Sequence, residues 1–551
     1  MARSALAELQ RCHLAYGVDA ARSQLSLLNE LSRTPLGSAG AVRRLHEVLC
    51  VLRAYPGDAK VLAKVVSMLA RFASRADLMA HRDALADSGI AGTAIYYRFF
   101  AGQAQWLATR WPDRLQLDRH DAEAQARIAR ALPTLLTRNE AHALAELKLA
   151  GYVALDRLRG RHETDAVFLL RRIAALPGDG FTQEAFSDGV DASFVLRPGP
   201  DTPSRTLAHF APVPVVLRTQ APSRVRPDLR HELARAPLAV RRLSRGDGQA
   251  LVELACSAMV TRARSLEVFS YANPRDAWLV DDGDGLAFAL IGVIPERRHA
   301  LASFYGGLTL RNGVPIGYTQ VDLLGRSAAL SFNTFETFRG GEAAFTFARW
   351  LAALHHMFDA DSFSIEPYQL GQDNDEAIES GAWWFYAKLG FAPRDAATRR
   401  LARAETSRIA RRPGRRSSAA TLRRLAERHL FFDLDPACPR PWVPLGEIGL
   451  RVGAWLSLRA GADRERAVQA CSAELARLCS VTSWRGWTAP QREAWRRFAP
   501  IALWLGAGRW RAEERNALVA LVRAKAATGE RGYLQAYLAH PRLDVAMNRV
   551  S

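Results

Sequence analysis

Ser380 to Phe391 reads SGAWWFYAKLGF. Trp383, Trp384, Phe385 and Tyr386 in succession cover most of a helix circumference, so some of them are packing residues whatever else the segment does. Gly390 then lets the helix end in the left-handed conformation and turn the chain into a strand. Upstream of this stretch lie a strand, SFSIEP at 362–367, and an apolar helix, GEAAFTFARWLAALHHMF at 341–358. Before those come short apolar runs of strand period: SLEVFSYAN, LAFALIGV, ALASFYGGLTL, VPIGYTQVDLL and SAALSFNTF. Their separators DDGDG, RNGVP and LLGR are turn sequences, and Asn312-Gly313 between two apolar runs signals a hairpin. A helix, GQALVELACSAMVTRA, precedes them. Strands, helix, strand, helix in that order predict an α+β unit, a mixed β-sheet with flanking helices.

The chain has 551 residues with 49% hydrophobic side chains, so several domains with real cores are expected. Residues 1–175 carry apolar residues at helical spacing, Val61, Val65, Met68, Leu69 and Phe72 among them, and predict an all-helical domain. Residues 176–245 include a run in which repeated Pro forbids regular helix, and read as a connection. Residues 246–395 hold the mixed sheet. Residues 396–430 carry eleven Arg against two Glu and read as a basic linker broken at Pro413-Gly414. Residues 431–551 predict a second helical domain, in which Trp442, Trp455, Trp484, Trp487, Trp495, Trp504 and Trp510 are packing anchors.

No apolar run reaches the roughly 18 residues a membrane span needs, and the first residues lack a signal-sequence pattern, which points to a cytoplasmic protein. Six dispersed Cys without a CxxC pair argue against a disulfide framework and against a structural metal. His355 and His356 lack a third ligand at metal spacing and read as surface or packing residues. The formal net charge of +19 favours acidic partners.

Ala382, Tyr386 and Leu389-Gly390-Phe391 follow in order the late motif of the GCN5-related N-acetyltransferase (GNAT) superfamily, and the segment 246–395 resembles that family. The resemblance implies a sheet splayed open between two adjacent parallel strands to admit acyl-CoA, acetyl-CoA included. It implies that Ala382 lets the helix approach the CoA arm, and that Tyr386 gives a proton to the departing thiolate; a phenol near ~10 suits a thiolate near ~8.5. The family's pyrophosphate loop matches FETFRGGEAAF less well. Arg339 and Ala344 stand at its ends, Gly340 and Gly341 supply flexible backbone, and Glu342 replaces the inner Gly, where a carboxylate opposes pyrophosphate unless it turns away. The thioester is then expected near Asn333 and Phe335, with Glu336 or Glu366 as the base for an amine acceptor.

Gly340 to Ser380 holds eight acidic residues and one Arg, which suits a cationic acceptor or a solvated face. The Arg-rich segment suits an acidic acyl carrier protein, a nucleic-acid backbone or a plain linker, although no aromatic residues are interleaved for base stacking. Two functions follow: an N-acyltransferase moving an acyl group to an amine, or a GNAT-like domain that has lost efficient cofactor binding and serves as an interaction module.

Overall fold

The computed structural model describes residues 2–412 and 414–549, so the predicted break at Pro413 lies outside the described residues. Eight strands lie side by side in chain order: β1 (Ala239–Arg242), β2 (Ala272–Gly283), β3 (Leu286–Val293), β4 (Ser303–Arg311), β5 (Val314–Leu324), β6 (Ser327–Thr334), β7 (Ser362–Ile365) and β8 (Leu430–Asp433). Neighbours are antiparallel except β6 and β7. The protein is therefore mixed α+β with an eight-stranded mixed sheet.

The hairpin turns are where the glycines predict them. Arg311 pairs with Val314 across Asn312 (φ 48°) and Gly313 (φ 76°), a two-residue turn with both central residues left-handed. A parallel neighbour needs a crossover, and the helix α2 (Ala343–Phe358) supplies it between β6 and β7; α1 (Arg245–Val260) precedes β2. The parallel register is short: Ser362 with Ser327, Phe363 with Ala328, Ser364 with Ala329. Beyond that pair β6 continues to Thr334 against β5 alone, while β7 stops at Ile365.

Alternation sorts the side chains onto two faces. Val321, Leu323, Ala328, Leu330, Phe363 and Ile365 meet Phe347, Leu351 and Leu354 of α2, and this core continues into the C-terminal helices through Trp495, Leu518 and Tyr533. Trp350 of α2 lies so close to β4 that a Cβ at Gly307 would be 2.5 Å from its ring, and its Nε1 donates to Thr309 Oγ1 at 2.8 Å. On the other face, Leu308, Leu310, Ile316 and Tyr318 are covered by N-terminal helices, with Val42, Leu45 and Leu49, and by Leu251 and Ala255 of α1.

Several elements differ from the sequence expectation. The first 175 residues are not all helical: Ile95–Tyr97 and Leu115–Leu117 flank Phe194–Leu196 in a three-stranded antiparallel sheet, and three-residue strands are too short to show a period. SLEVFSYAN forms a short helix, Glu267–Ser270, and the strand is β2 behind it, masked in sequence by Pro274, charged residues and a bulge between Ala272 and Ala277.

The Pro-rich connection includes the helices Gly180–Val190 and Leu229–Ala234 and the edge strand β1, and it buries Thr206, Phe210 and Val213. The Arg-rich segment is folded too: it forms the helices Ala396–Ala410 and Ala419–Ala426, and Leu422, Leu425 and Ala426 sink into the main core at helical spacing. Its arginines, Arg399, Arg400, Arg411, Arg412, Arg415 and Arg416 among them, line the outside. The edge strand β8 follows these helices, so the helical C-terminal part opens with a strand of the sheet.

Candidate functional site

The helix α3 (Ala382–Lys388) begins after Gly381 and ends as its sequence dictates. Gly390 has φ +100°, the Phe391 amide returns to the Tyr386 carbonyl at 3.2 Å and the Gly390 amide to Ala387 at 3.1 Å. This six-to-one and five-to-two pattern is a Schellman end, and the Phe391 ring rests on Tyr386 as that end favours. The chain then makes a single bridge, Ala392 to Phe431, and reaches its strand only after the basic helices. Trp383 is buried, while Trp384 donates Nε1 to Ser417 Oγ at 2.9 Å and so ties the basic segment to α3.

At the C-terminal end of β6, beyond the residues that pair with β7, there is a cavity of about 260 Å³. It takes Tyr386, Phe385 and Ala382 from α3, Ala343 from the start of α2, and Phe332 and Asn333 from β6. Phe332 stacks toward Phe347 and Phe385, and its neighbour Asn333 points to the opposite face, so the cavity opens through the sheet. Arg339, Tyr318, Arg264, Glu376 and Tyr368 are also among its walls. Of the sequence candidates, Asn333, Arg339, Ala382 and Tyr386 thus meet at one place.

The other candidates lie elsewhere. Phe335 is buried under the Arg262 guanidinium, 3.6 Å from the ring centre. Glu336 sits in a short 3-10 turn with 75% of its side chain exposed, and pairs with Arg43 at 3.5 Å. Glu366 is an exposed residue at the end of β7 and does not line the cavity. Gly340 and Gly341 form an accessible loop, with Gly340 at φ +86°, beside the α2 N-terminus. The first amide of the helical ladder is that of Thr346, bonded to the Glu342 carbonyl at 2.8 Å, so the amides of Ala343, Ala344 and Phe345 precede it. His355 and His356 are tied to the carbonyls of Ala360 and Leu233.

Glu342 turns inward. One carboxylate oxygen accepts from Arg218 Nη2 at 2.7 Å, the other from Arg311 Nη2, and the Tyr55 ring lies under both guanidiniums at 5.7 and 5.6 Å. The carboxylate that sequence set against pyrophosphate is therefore neutralised inside the fold. At the cavity mouth Glu376 takes Arg339 Nη2 at 2.7 Å on one oxygen and Arg264 Nη2 at 2.9 Å on the other, and these two arginines hold its carboxyl below the usual range. Burial among Phe347, Phe385 and Phe391 pushes the Tyr386 phenol well above its ordinary value, so it is a neutral hydrogen-bond donor.

One titratable group was not anticipated. Asp322 of β5 faces Ala329, which faces Ser364, so it stands in the row where the parallel strands last touch. It lies on the face away from α2, the face toward which Glu366 also points. Although its side chain is 38% exposed, the protein packed around it and then the charges of Glu366, Glu267 and Glu530 push its pKa up toward about 7, a shift that solvent screening moderates, and His299 Nε2 is 3.9 Å away. The run VPIGYTQVDLL showed a polar residue in an apolar strand, which was the available signal. Arg264, Tyr318 and Glu376 reach the site from distant segments and had none.

Comparison with family models, with curated proteins and with solved structures finds no match to this chain. Among the described residues no group of three or more His, Cys, Asp or Glu is arranged to hold a metal ion, and no helix is long and apolar enough to cross a membrane.

Proposed function

We propose that the protein is a GNAT-like N-acyltransferase that moves an acyl group from acyl-CoA, or from an acyl carrier, to an amine. The observation that carries this reading is the cavity at the C-terminal end of β6, which gathers Asn333, Arg339, Ala382 and Tyr386. The pyrophosphate is held by the Arg339–Ala344 loop and the free amides at the α2 N-terminus, and the inward turn of Glu342 removes the objection to an anion there.

The thioester lies in the cavity at the end of β6, with Tyr386 on the α2 side and Asn333 and Tyr318 on the other, and Asp322 stands farther along β5 on the Tyr318 face. The amine attacks the carbonyl carbon, its proton passes through water to Asp322, the C–S bond breaks, and the neutral Tyr386 hydroxyl stabilises the leaving thiolate by donating a hydrogen bond to it. Asp322, like Glu366, does not line the cavity, but it stands on the same strand and face as the cavity residue Tyr318, and its raised pKa makes it the base of this reading in place of Glu336 and Glu366. Glu366 and Glu267 then favour a cationic acceptor.

Incubation with acetyl-CoA and an amine panel, following free thiol, tests the reading. Tyr386→Phe is expected to lower turnover at least about tenfold with acyl-CoA affinity unchanged; equal turnover returns Tyr386 to packing. Glu376→Gln frees Arg339 and Arg264 for phosphate, and titration calorimetry is expected to show CoA binding tightened roughly 2- to 5-fold, the scale of an exposed ion pair; weakened binding contradicts this.

The same ion pairs favour a second reading. Arg339 is already engaged by Glu376, as in a domain that has given up its cofactor and serves as an interaction module. Absence of any acyl-CoA binding selects it.

A further inference from the structure

Three arginines meet where the N-terminal helices, the Pro-rich connection and the far face of the sheet come together. Arg53 is 7% exposed and gives its terminal nitrogens to the carbonyls of Thr206 (2.9 Å), Arg205 (3.4 Å) and Ala208 (2.9 Å). Arg205, with a side chain 10% exposed, gives Nη1 to Thr337 Oγ1 at 3.3 Å. Arg262 gives Nη1 to the Ala258 carbonyl at 3.0 Å and to Thr261 Oγ1 at 3.3 Å. A Cβ at Gly89 would fall 2.9 Å from Thr261 Cβ and 3.1 Å from Arg205 Cγ, which sets the Arg205 stem beside the Thr261–Arg262 pair.

Four buried donors remain without an acceptor: Nε of Arg53, Arg205 and Arg262, and Nη2 of Arg205. The carboxylate nearest to Arg205 is Glu47, 3.9 Å from Nη2, and it is already the partner of Arg43 at 3.1 Å. His46 and Cys50 lie in the field of all three guanidiniums. Burial and the arginines hold His46 neutral, and burial pushes the Cys50 thiol up, so neither supplies a negative charge near neutral pH. Arginines keep their protons, and buried charge without counter-charge is costly.

We infer that this junction binds a compact inorganic anion, a halide or a phosphate-type oxyanion, as the counter-ion of Arg53, Arg205 and Arg262. The anion would also brace the two segments that lead to the cavity residues Arg264 and Arg339. Arg262 lies two residues before Arg264 and caps the ring of Phe335, and Arg205 holds Thr337 in the turn that leads to Arg339. The site does not depend on what the cavity binds.

Thermal unfolding of the full chain at constant ionic strength, with chloride, bromide or phosphate replacing methanesulfonate, tests the inference. A rise is expected with one of these anions that is slight below Kd and approaches a tenfold larger folding constant per tenfold anion above it. Phosphate acting at lower concentration than chloride identifies an oxyanion site, and the reverse a halide site. Arg205→Leu is expected to abolish the anion dependence. Where that variant does not fold, crystals of the native chain soaked in bromide or phosphate decide by density among the three guanidiniums. Equal unfolding in all four salts, or crystals without density there in either anion, overturns the inference.

Discussion

Glu342→Ala is expected to lower folding stability by about 3–5 kcal/mol, the usual consequence of removing one partner from a buried ion pair. The side chains of Arg311 and Glu342 are 2% and 7% exposed, and Arg311 Nε is already a buried donor without an acceptor, so the guanidinium has nowhere to turn. Arg218 adds a second charge, 17% exposed, and it comes from the Pro-rich connection, so the carboxylate also fastens that segment to the start of α2. Glu342→Gln keeps acceptor and shape and is expected to lie between. Urea midpoints with unchanged slope measure this; an Ala variant within about 0.5 kcal/mol of the native protein, the range of ordinary surface substitutions, contradicts it.

Asp322→Asn is expected to lower turnover by roughly 10²–10⁴, the range for loss of a general base, while leaving acyl-CoA affinity in place. The pH dependence carries the sign. A carboxyl with its folded pKa raised to about 7 is ionised, and able to accept a proton, only above that pH, so the native rate climbs through about 7 and then levels. Stability runs the other way: the folded state holds the proton more tightly, so this group's contribution is fully present below the unfolded value near ~3.9 and is lost as pH rises through about 7. The Asn variant, neutral throughout, is expected to lose the limb of the rate profile and to show a flatter stability profile between those values. A native profile without a limb near 7 removes Asp322 from the mechanism.

The parts of the fold written in local sequence were legible. Asn312-Gly313 fixes its hairpin because both positions demand positive φ, and Leu389-Gly390-Phe391 fixes the end of α3 for the same reason. The apolar periods of β3 to β7 and of α2 survive in the structure because each buries a face against a neighbour. What was hidden depends on partners far along the chain. Glu342 reads as an obstacle to an anion until Arg218 and Arg311 are seen to draw it inward. Eleven Arg in 396–430 mask the Leu422, Leu425 and Ala426 stripe that folds the segment against α3. Asp322 gains its environment from β6 and β7 across the sheet, and no spacing within β5 records that register. The aromatic run divides likewise: Trp383 and Trp384 pack, and Tyr386 alone of the expected acid and bases reaches the cavity.

Titration calorimetry of the full chain with acetyl-CoA and longer acyl-CoAs, beside Ala382→Trp as a blocked cavity, tests the acyltransferase reading most directly. The expected result is saturable binding at one site, in the micromolar to millimolar range common for enzyme substrates, and its loss in Ala382→Trp. No heat and no thermal stabilisation with any acyl-CoA, or binding that the blocked cavity leaves untouched, contradicts it.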